Sequence, residues 1–220
     1  MCGRFVRNSS ISEIADEFDA DYTGIDIKPS YNITPGQNIA LVAGHGENNI
    51  VLCKWGFIPS WSKDSSIGNR MINARAETVA EKNAFRSAFR NQRCLIAANG
   101  FYEWRKTGSG KTPVYISLRN RGIFGFAGLY NTWISPEKRK ICTTTILTTN
   151  ANRVLENVHD RMPVIISREN ESIWLDYTIS DKEALEPLLK PYPSEEVRLT
   201  DVSKAVNSPG HDSPDCIKPV

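Results

Sequence analysis

Short stretches in which hydrophobic and polar residues alternate run through most of the chain. A period of two is typical of a β-strand with one buried face. Residues 107–110 are small and polar, separate two such stretches and have the chemistry of a hairpin loop. The pattern predicts strands over residues 1–7, 39–43, 49–57, 94–98, 100–105, 113–118, 123–130 and 141–149, with short ones near Val197 and Val202.

Four segments have the pattern of helices. Ser10 and Glu13 form a capping box, and Ile11, Ile14 and Phe18 share one face of the helix that follows. Further helices are predicted over residues 79–91, 169–177 and 181–189, and a loop over residues 60–75.

Antiparallel strands with helices outside them favour an α+β fold. We expect a single domain with a curved, largely antiparallel, barrel-like β-sheet flanked by helices. The domain should span residues 1–206. Residues 207–220, which include Pro209, Gly210 and Pro214, are expected to form a C-terminal tail.

The composition is that of an ordinary globular protein. The chain has 220 residues, of which 40% are hydrophobic and 24% charged, enough for one large or two small domains. No apolar run approaches the roughly 20 residues that a membrane span needs, and the amino terminus has no apolar signal segment. We therefore expect a soluble, cytoplasmic, monomeric protein.

The cysteines and histidines argue against two kinds of site. The five cysteines, at positions 2, 53, 94, 142 and 216, are odd in number, widely spaced and include no CxxC pair, which disfavours a disulfide scaffold and a zinc module. With only three histidines, no metal site and no cofactor are expected.

The charge says little about partners. The formal net charge is +2, whereas nucleic-acid binders usually have a clear basic excess. Local basic surface is still possible, since arginines cluster between residues 70 and 93. On composition alone, a solvated surface is the favoured explanation for these arginines.

Cys2 is the position with the most distinctive chemistry. Removal of Met1 would leave an α-amine and a thiol on adjacent carbons. The α-amine has a pKa of about 7.7 to 8.0 against about 10.4 for lysine, so at pH 7 it is neutral several hundred times more often. It can form an imine with an aldehyde, and the thiol can then close a thiazolidine ring, with an effective concentration on the order of 10⁵ M or more.

Three polar clusters interrupt apolar surroundings and contain groups able to move protons or form hydrogen bonds. They hold Asn73, Glu103 and His159, within residues 73–77, 100–104 and 158–163. Structural roles are open for each: a capping Asn, a solvent-facing Glu on an alternating strand, and a His hydrogen-bonded in a loop.

Taken in order, these segments resemble the SRAP family, the SOS response-associated peptidases. The resemblance covers residues 1 to about 206. It rests on MCGRF at residues 1–5, YNITPG at 31–36, WGFIP at 55–59, NARAET at 73–78, GFYEW at 100–104 and HDRMP at 159–163.

The resemblance implies a protein that joins Cys2 covalently to abasic sites in single-stranded or junction DNA and associates with the nucleoid when bound. Asn73, Glu103 and His159 would complete the active site. Glu103 would help to open the closed sugar, His159 would pass protons and Asn73 would orient the amine or the sugar. The arginines implied to contact phosphates are Arg4, Arg75 and Arg161, and the residues implied to stack on bases are Trp61, Trp104 and Pro35.

Two other classes of function remain open from the residues. A cysteine peptidase could use Cys2, His159 and Glu103 as a triad, with removal of Met1 as its simplest reaction. A non-catalytic module could bind single strands reversibly. If the protein instead captures abasic sites through Cys2, an imine intermediate would also permit weak strand-cleaving lyase activity.

Overall fold

The computed structural model describes residues 2–108 and 110–220, so Met1 and Ser109 lie outside the described residues. Within these ranges the chain forms fourteen strands. They are β1 (Phe5–Arg7), β2 (Ala20–Asp21), β3 (Ser30–Ile33), β4 (Asn38–His45), β5 (Glu47–Trp55), β6 (Asn73–Arg75), β7 (Arg93–Ala98), β8 (Gly100–Thr107), β9 (Gly110–Leu118), β10 (Phe124–Ile134), β11 (Lys140–Asn150), β12 (Arg161–Pro163), β13 (Ile165–Ile166) and β14 (Val197–Asp201).

The first predicted helix is confirmed. Helix α1 (Ile11–Phe18) begins after Ser10, whose side chain caps the backbone N–H of Glu13 while the Glu13 carboxylate accepts from the backbone N–H of Ser10. Ile14 and Phe18 are buried, as their spacing indicates. The helix ends at Asp19, which adopts a left-handed conformation with φ 46°.

The other helices are shorter than the pattern predicts. They are α2 (Arg86–Asn91), α3 (Glu171–Leu175) and α4 (Lys182–Leu185). The segment predicted as helix from residue 79 makes turns up to residue 85, where Phe85 bonds back only three residues to Lys82. After α4 the chain tightens into a 3-10 turn at Glu186–Leu189, because Pro187 has no backbone N–H to continue an α-helix. The other 3-10 segments are Ser65–Arg70, Ala76–Thr78, Arg168–Asn170, Ser194–Glu196, Lys204–Asn207 and Pro214–Ile217.

The larger sheet closes on itself as a five-stranded barrel. Strands β11, β10, β7, β4 and β5 pair in that order through antiparallel ladders. A parallel pairing of β5 with β11, at Lys54 with Thr143 and Trp55 with Thr144, completes the ring. The expectation of a largely antiparallel, barrel-like sheet is therefore confirmed.

Alternate residues of the barrel strands enter two different cores. On β7, Cys94 and Ile96 pack inward with Phe5, whereas Leu95 and Ala97 pack outward beneath the helices with α1 and α3. This division follows from the period-two geometry of a strand. Both faces of the barrel wall are thus buried, which explains why β7 is hydrophobic along nearly its whole length.

A second, fully antiparallel sheet supports the amino terminus. Its strand order is β14-β9-β8-β1-β3, and Phe5 on β1 pairs with Phe101 on β8. The backbone N–H of Tyr102 donates to the carbonyl oxygen of Arg4 at 2.9 Å. Residues 2–4, which precede β1, therefore run beside the segment of β8 that contains Glu103.

Residues 207–220, expected to form a tail, pack against the second sheet. Asn32 donates through its side chain to the carbonyl oxygens of Ser208 and His211, at 3.0 and 2.6 Å. Asp212 accepts from the Ser30 hydroxyl and from the Tyr31 backbone. Cys216 is buried in a third apolar cluster with Tyr102 and Val206, so this segment covers the outer face of β8.

One expectation about the cysteines needs correction. Cys53 on β5 and Cys142 at the start of β11 form a disulfide, with their Cα atoms 4.7 Å apart. The two positions are 89 residues apart in sequence and become neighbours only when β5 pairs with β11. Spacing along the chain therefore gave no sign of the bond. Cys2, Cys94 and Cys216 are free and buried.

Within the described residues, no helix combines the length and the apolar character that crossing a membrane takes.

Candidate active site

Cys2 lies in the inner core, at the entrance to β1. Its side chain is fully buried, and its Sγ donates to the carbonyl oxygen of Arg4 at 3.9 Å. Burial raises the pKa of the thiol well above its usual range, and the nearby charge of Glu103 raises it further. The thiol is therefore held in its neutral form in this state of the protein.

Asn73 contacts Cys2 directly. It is the first residue of β6, which lies parallel to β11 with Asn73 opposite Ile146. Its side-chain nitrogen donates to the carbonyl oxygen of Cys2 at 2.8 Å. The other amide atom, Oδ1, is buried and accepts no hydrogen bond from the described residues. A buried unpaired acceptor costs about 1 to 3 kcal/mol, so Oδ1 is suited to accept from a bound ligand or from an amine. The interpretation of Asn73 as a helix cap is wrong.

Glu103 lies on β8 and faces the inner core rather than solvent. Its side chain is 4% exposed, and it pairs in register with the buried Val114 of β9. Burial raises the pKa of its carboxyl group, although the nearby charge of His159 acts in the opposite direction. A solvent-facing role for Glu103 is excluded. A buried carboxyl with a raised pKa is what proton donation near neutral pH requires.

His159 ends a turn that follows Ala151, and its side chain is 30% exposed. Its Nδ1 lies 2.9 Å from the backbone N–H of Arg161 and 2.8 Å from Oδ1 of Asp160. One ring nitrogen cannot accept and donate at once. Nδ1 without a proton accepts from the backbone N–H of Arg161, and Nδ1 carrying the proton donates to Asp160, so the hydrogen bond that forms depends on the tautomer. The loop hydrogen bond expected for a structural histidine is present as well.

A cavity of about 770 Å³ opens beside these groups. Glu103 and His159 both line it. The remaining lining residues are Trp104, Lys106, Lys111, Glu156, Asn157, Val158, Asp160 and Asn207. The sequence motifs did not indicate Lys106, Lys111 or Asn207. The one available signal was that Lys106 follows Trp104 by two positions and so falls on the same face of the strand. The charge of Glu103 acts on the Cys2 thiol, and the charge of His159 acts on the Glu103 carboxyl. Asn73 contacts Cys2 directly, so the four motif residues lie close together.

The three motif arginines differ in their exposure and in the hydrogen bonds that they make within the protein. Arg4 donates to Asn32 Oδ1 at 2.7 Å and to the Val206 carbonyl at 2.8 Å. Arg161 forms a two-pronged ion pair with Glu77, at 2.5 and 2.9 Å, and its side chain is only 12% exposed. Arg75, on the same strand as Asn73, is exposed.

The three candidate stacking residues lie in different settings. The guanidinium of Arg4 lies over the Trp104 ring, 5.8 Å from its centre, and the Trp104 indole donates to Asn207 Oδ1 at 2.7 Å. Trp104 is therefore held in one orientation. Trp61 is 61% exposed in the loop after β5. Pro35 is exposed in the turn between β3 and β4.

One group of potential metal ligands occurs among the described residues, in the C-terminal segment. The ligand atoms of His211, Asp215 and Cys216 lie within 4.8 Å of one another. His211 Nε2 and Asp215 Oδ2 share a hydrogen bond of 2.9 Å, and Cys216 Sγ donates to the His211 carbonyl at 3.5 Å. These hydrogen bonds close a turn of the C-terminal segment, and the turn explains why the three side chains lie together.

Comparisons with known proteins agree on one family. A model of the family described as SOS response associated peptidase (SRAP) matches residues 1–209. Abasic site processing protein YoqW of Bacillus subtilis (strain 168) is 43% identical over 222 residues, covering 99% of this chain and 99% of that protein. Abasic site processing protein HMCES of Xenopus tropicalis is 28% identical over 224 residues, covering 86% of this chain and 66% of that protein.

The fold has also been observed in crystals. A protein from Bacteroides thetaiotaomicron matches over 100% of both chains with a TM-score of 0.92 at 24% identity. A protein from Bordetella bronchiseptica covers 92% of this chain with a TM-score of 0.77 at 21% identity. At these identities the likeness is one of fold.

Proposed function

Because the chain belongs to the SOS response associated peptidase (SRAP) family, we propose that it processes abasic sites in DNA and captures them as a covalent adduct on Cys2. Removal of Met1, which lies outside the described residues, would make the Cys2 amine the chain terminus. The observation that carries the proposal is the hydrogen bond from Asn73 to the Cys2 carbonyl, which fixes Cys2 next to the buried acid Glu103.

The chemistry starts with the sugar. An abasic deoxyribose is mostly a closed hemiacetal. Glu103, whose carboxyl pKa is raised by burial, gives the ring oxygen a proton as its bond to the anomeric carbon breaks, and the proton of the anomeric hydroxyl returns to the Glu103 carboxylate as the aldehyde forms. The Cys2 amine attacks the aldehyde carbon, a C–N bond forms, and the former carbonyl oxygen leaves as water. The product is an imine between Cys2 and the sugar.

The thiol then closes the ring. Cys2 Sγ adds to the imine carbon, a C–S bond forms, and the thiol proton ends on the former imine nitrogen. The net change is aldehyde plus aminothiol to thiazolidine plus water, and no oxidant is consumed. His159, with Arg161 and Asp160 around Nδ1, carries protons between these steps. Ring closure removes the imine, which also limits strand cleavage by β-elimination.

The DNA itself would be held by charge and stacking. We propose that the exposed Arg75 contacts a phosphate and that Arg4 and Arg161, fixed by internal bonds, contribute phosphate contacts at the rim and positive potential to the site. Trp104, Trp61 and Pro35 are proposed to stack beside the gap that the missing base leaves. A single strand, or a junction with one duplex arm, gives the room this requires.

The peptidase alternative fits the thiol less well. A cysteine peptidase attacks as a thiolate, and reactive cysteines have a lowered thiol pKa. Here burial and Glu103 raise the pKa of the Cys2 thiol. An amine nucleophile with a neutral thiol beside it fits the same surroundings.

A direct test uses purified protein whose intact mass shows Met1 removed. It is mixed with a single-stranded oligonucleotide containing one abasic site, and adducts that survive heat and detergent are measured. We expect a one-to-one adduct with the mass of the two components less one water. An intact oligonucleotide should give none. Hydrolysis of unrelated peptides, dependent on Cys2 and without an adduct, would establish the peptidase instead.

A further inference from the structure

Two lysines face each other at the end of the hairpin formed by β8 and β9. Lys106 is directly opposite Lys111 in the register of the two strands, and both side chains are exposed. Like charges opposite each other on neighbouring strands destabilise the pair. Within residues 2–108 and 110–220, neither lysine forms an ion pair or a hydrogen bond through its side chain. By contrast, Arg105 next to them is paired with Asp201 at 3.0 Å.

The pair is part of the wall of the active-site cavity. Lys106 and Lys111 line the same space of about 770 Å³ as Glu103 and His159. Trp104, two residues before Lys106, falls on the same face of β8, where it is fixed by Asn207 and by the Arg4 guanidinium. An oriented aromatic ring next to two cations is the arrangement with which proteins hold single-stranded nucleic acid, since the ring stacks on a base and the cations meet phosphates.

Two acidic residues line the same cavity from a different segment of the chain. Glu156 and Asp160, both exposed, line the cavity on the side of the turn that leads to His159. A phosphodiester is repelled from that side and attracted to the lysine side. The charge distribution therefore favours the lysine side for a strand that leaves the site.

We propose that Lys106 and Lys111 form a phosphate-binding subsite for the strand on one side of the captured nucleotide, with the adjoining base stacked on Trp104. The proposal rests on the proposed function for its substrate. The ligand class is the phosphodiester backbone of a single strand, and one arm of the strand, not both, uses this subsite.

The test compares two double variants that remove the same number of positive charges. Lys106→Gln/Lys111→Gln removes the pair. Lys138→Gln/Lys140→Gln removes two exposed lysines, one at the start of β11 and one just before it, at the opposite end of the strand from Asn150, which pairs with Arg161. Binding to an intact single-stranded oligonucleotide is measured from 50 to 200 mM salt. Each phosphate contact contributes about 0.7 to the salt slope, so loss of the pair should reduce the slope by about 1.4. The ratio of the DNA affinity of the unsubstituted protein to that of the lysine-pair variant should then fall about sevenfold between 50 and 200 mM salt.

Two trimmed oligonucleotides test the one-sided arrangement. One carries nucleotides only on the 5′ side of an abasic site and the other only on the 3′ side. The lysine-pair variant should bind one of them more weakly and the other as the control variant does. An unchanged salt slope, or a loss equal to that of the control, overturns the subsite, and an equal loss for both arms overturns its one-sidedness. Because the salt slope is measured on intact DNA, it stands even if no adduct forms, and a missing adduct would count against the proposed function alone.

Discussion

The side-chain nitrogen of Asn73 lies 2.8 Å from the carbonyl oxygen of Cys2, and this bond joins two positions 71 residues apart in the chain. The bond engages the carbonyl group of Cys2 and leaves its backbone nitrogen out of the contact. The geometry therefore suits a residue that reacts through its nitrogen.

Cys2→Ala should abolish the heat-stable adduct and leave DNA binding largely intact. The substitution keeps the amine, so a transient imine and some strand cleavage should persist, but no thiol remains to close the ring. Adduct yield on denaturing gels and binding by fluorescence anisotropy measure the two effects. Cys94→Ala is the matched control, since Cys94 is also free and buried. A stable adduct formed by Cys2→Ala at the normal rate, without added reductant, would exclude the thiazolidine.

Glu103→Gln should slow adduct formation by about 10² to 10⁴, the usual cost of losing a general acid or base. Because the protonated carboxyl is the active form, the rate of the unsubstituted protein should fall as pH rises through the raised pKa of Glu103. The rate of the variant should not show this fall, which is the high-pH limb of the profile. Single-turnover rates at saturating DNA across the pH range provide the check. A variant that keeps both the rate and the limb would remove Glu103 from the chemistry.

The same substitution should stabilise the protein at neutral and higher pH. Burial raises the pKa of Glu103 above its ordinary 4.5, so the contribution of this group to stability is complete below the ordinary value and is lost as pH rises through the raised one. Glutamine is neutral throughout and avoids that loss. Urea unfolding should therefore show that Glu103→Gln has the higher free energy of unfolding, by an amount that is small near pH 4 and grows toward pH 8. Glu47→Gln, at an exposed position, should show no such growth. A gap of the opposite sign at pH 8 would mean that the Glu103 carboxylate stabilises the fold.

Arg75→Ala and Arg161→Ala should act on different properties. Arg161 satisfies Glu77 and the Thr148 carbonyl, so its loss should lower the free energy of unfolding by about 1 to 3 kcal/mol. Arg75 is exposed, and its loss should change stability by less than about 0.5 kcal/mol while reducing the salt slope for single-stranded DNA by about 0.7. Urea unfolding and binding at several salt concentrations distinguish them. The assignment is reversed if Arg75→Ala is the destabilising variant.

A residue or tag retained before Cys2 should block the adduct, whereas a tag after Val220 should not. An acylated nitrogen is an amide, and its lone pair is delocalised into the carbonyl, so it cannot attack an aldehyde. The thiol alone gives only a reversible hemithioacetal. Intact mass establishes the state of each terminus before the assay. The same adduct yield from a blocked amino terminus would show that the amine is not the nucleophile.

The local sequence pattern predicted several strands well but could not predict how the barrel closes. Strands β7, β8 and β11 lie close to their predicted bounds, β7 as a nearly continuous apolar run and β8 and β11 as longer runs rich in aromatic or β-branched residues. The parallel pairing of β5 with β11 depends on strand curvature and on contacts between residues 89 positions apart. Neither is visible in a local pattern, and the Cys53–Cys142 bond was missed for the same reason.

The sequence motifs supplied the residues of the candidate site, but they did not predict that Glu103 is buried. An alternating strand such as β8 normally leaves one face in water, which favoured a solvent-facing Glu103. In the fold the inner core covers the face of β8 that carries Phe101 and Glu103, and Cys216 of the C-terminal segment helps to cover the opposite face at Tyr102. The burial of Glu103 therefore depends on the inner core, which only the closed fold assembles. Pro and Gly in residues 207–220 gave that segment the composition of a tail.

Strand β11 also has a consequence for how the protein folds. It pairs with β6, which holds Asn73, and with β12, which begins two residues after His159. Two parts of the site that are far apart in sequence therefore meet on one strand, which itself must find β5 across a long loop. Closing such a loop costs entropy before its contacts form, and topologies of high contact order fold slowly. Residues 1–139 emerge from the ribosome before β11 does, so Asn73 and His159 reach their places in the candidate site only after β11 is available to pair with β6 and β12.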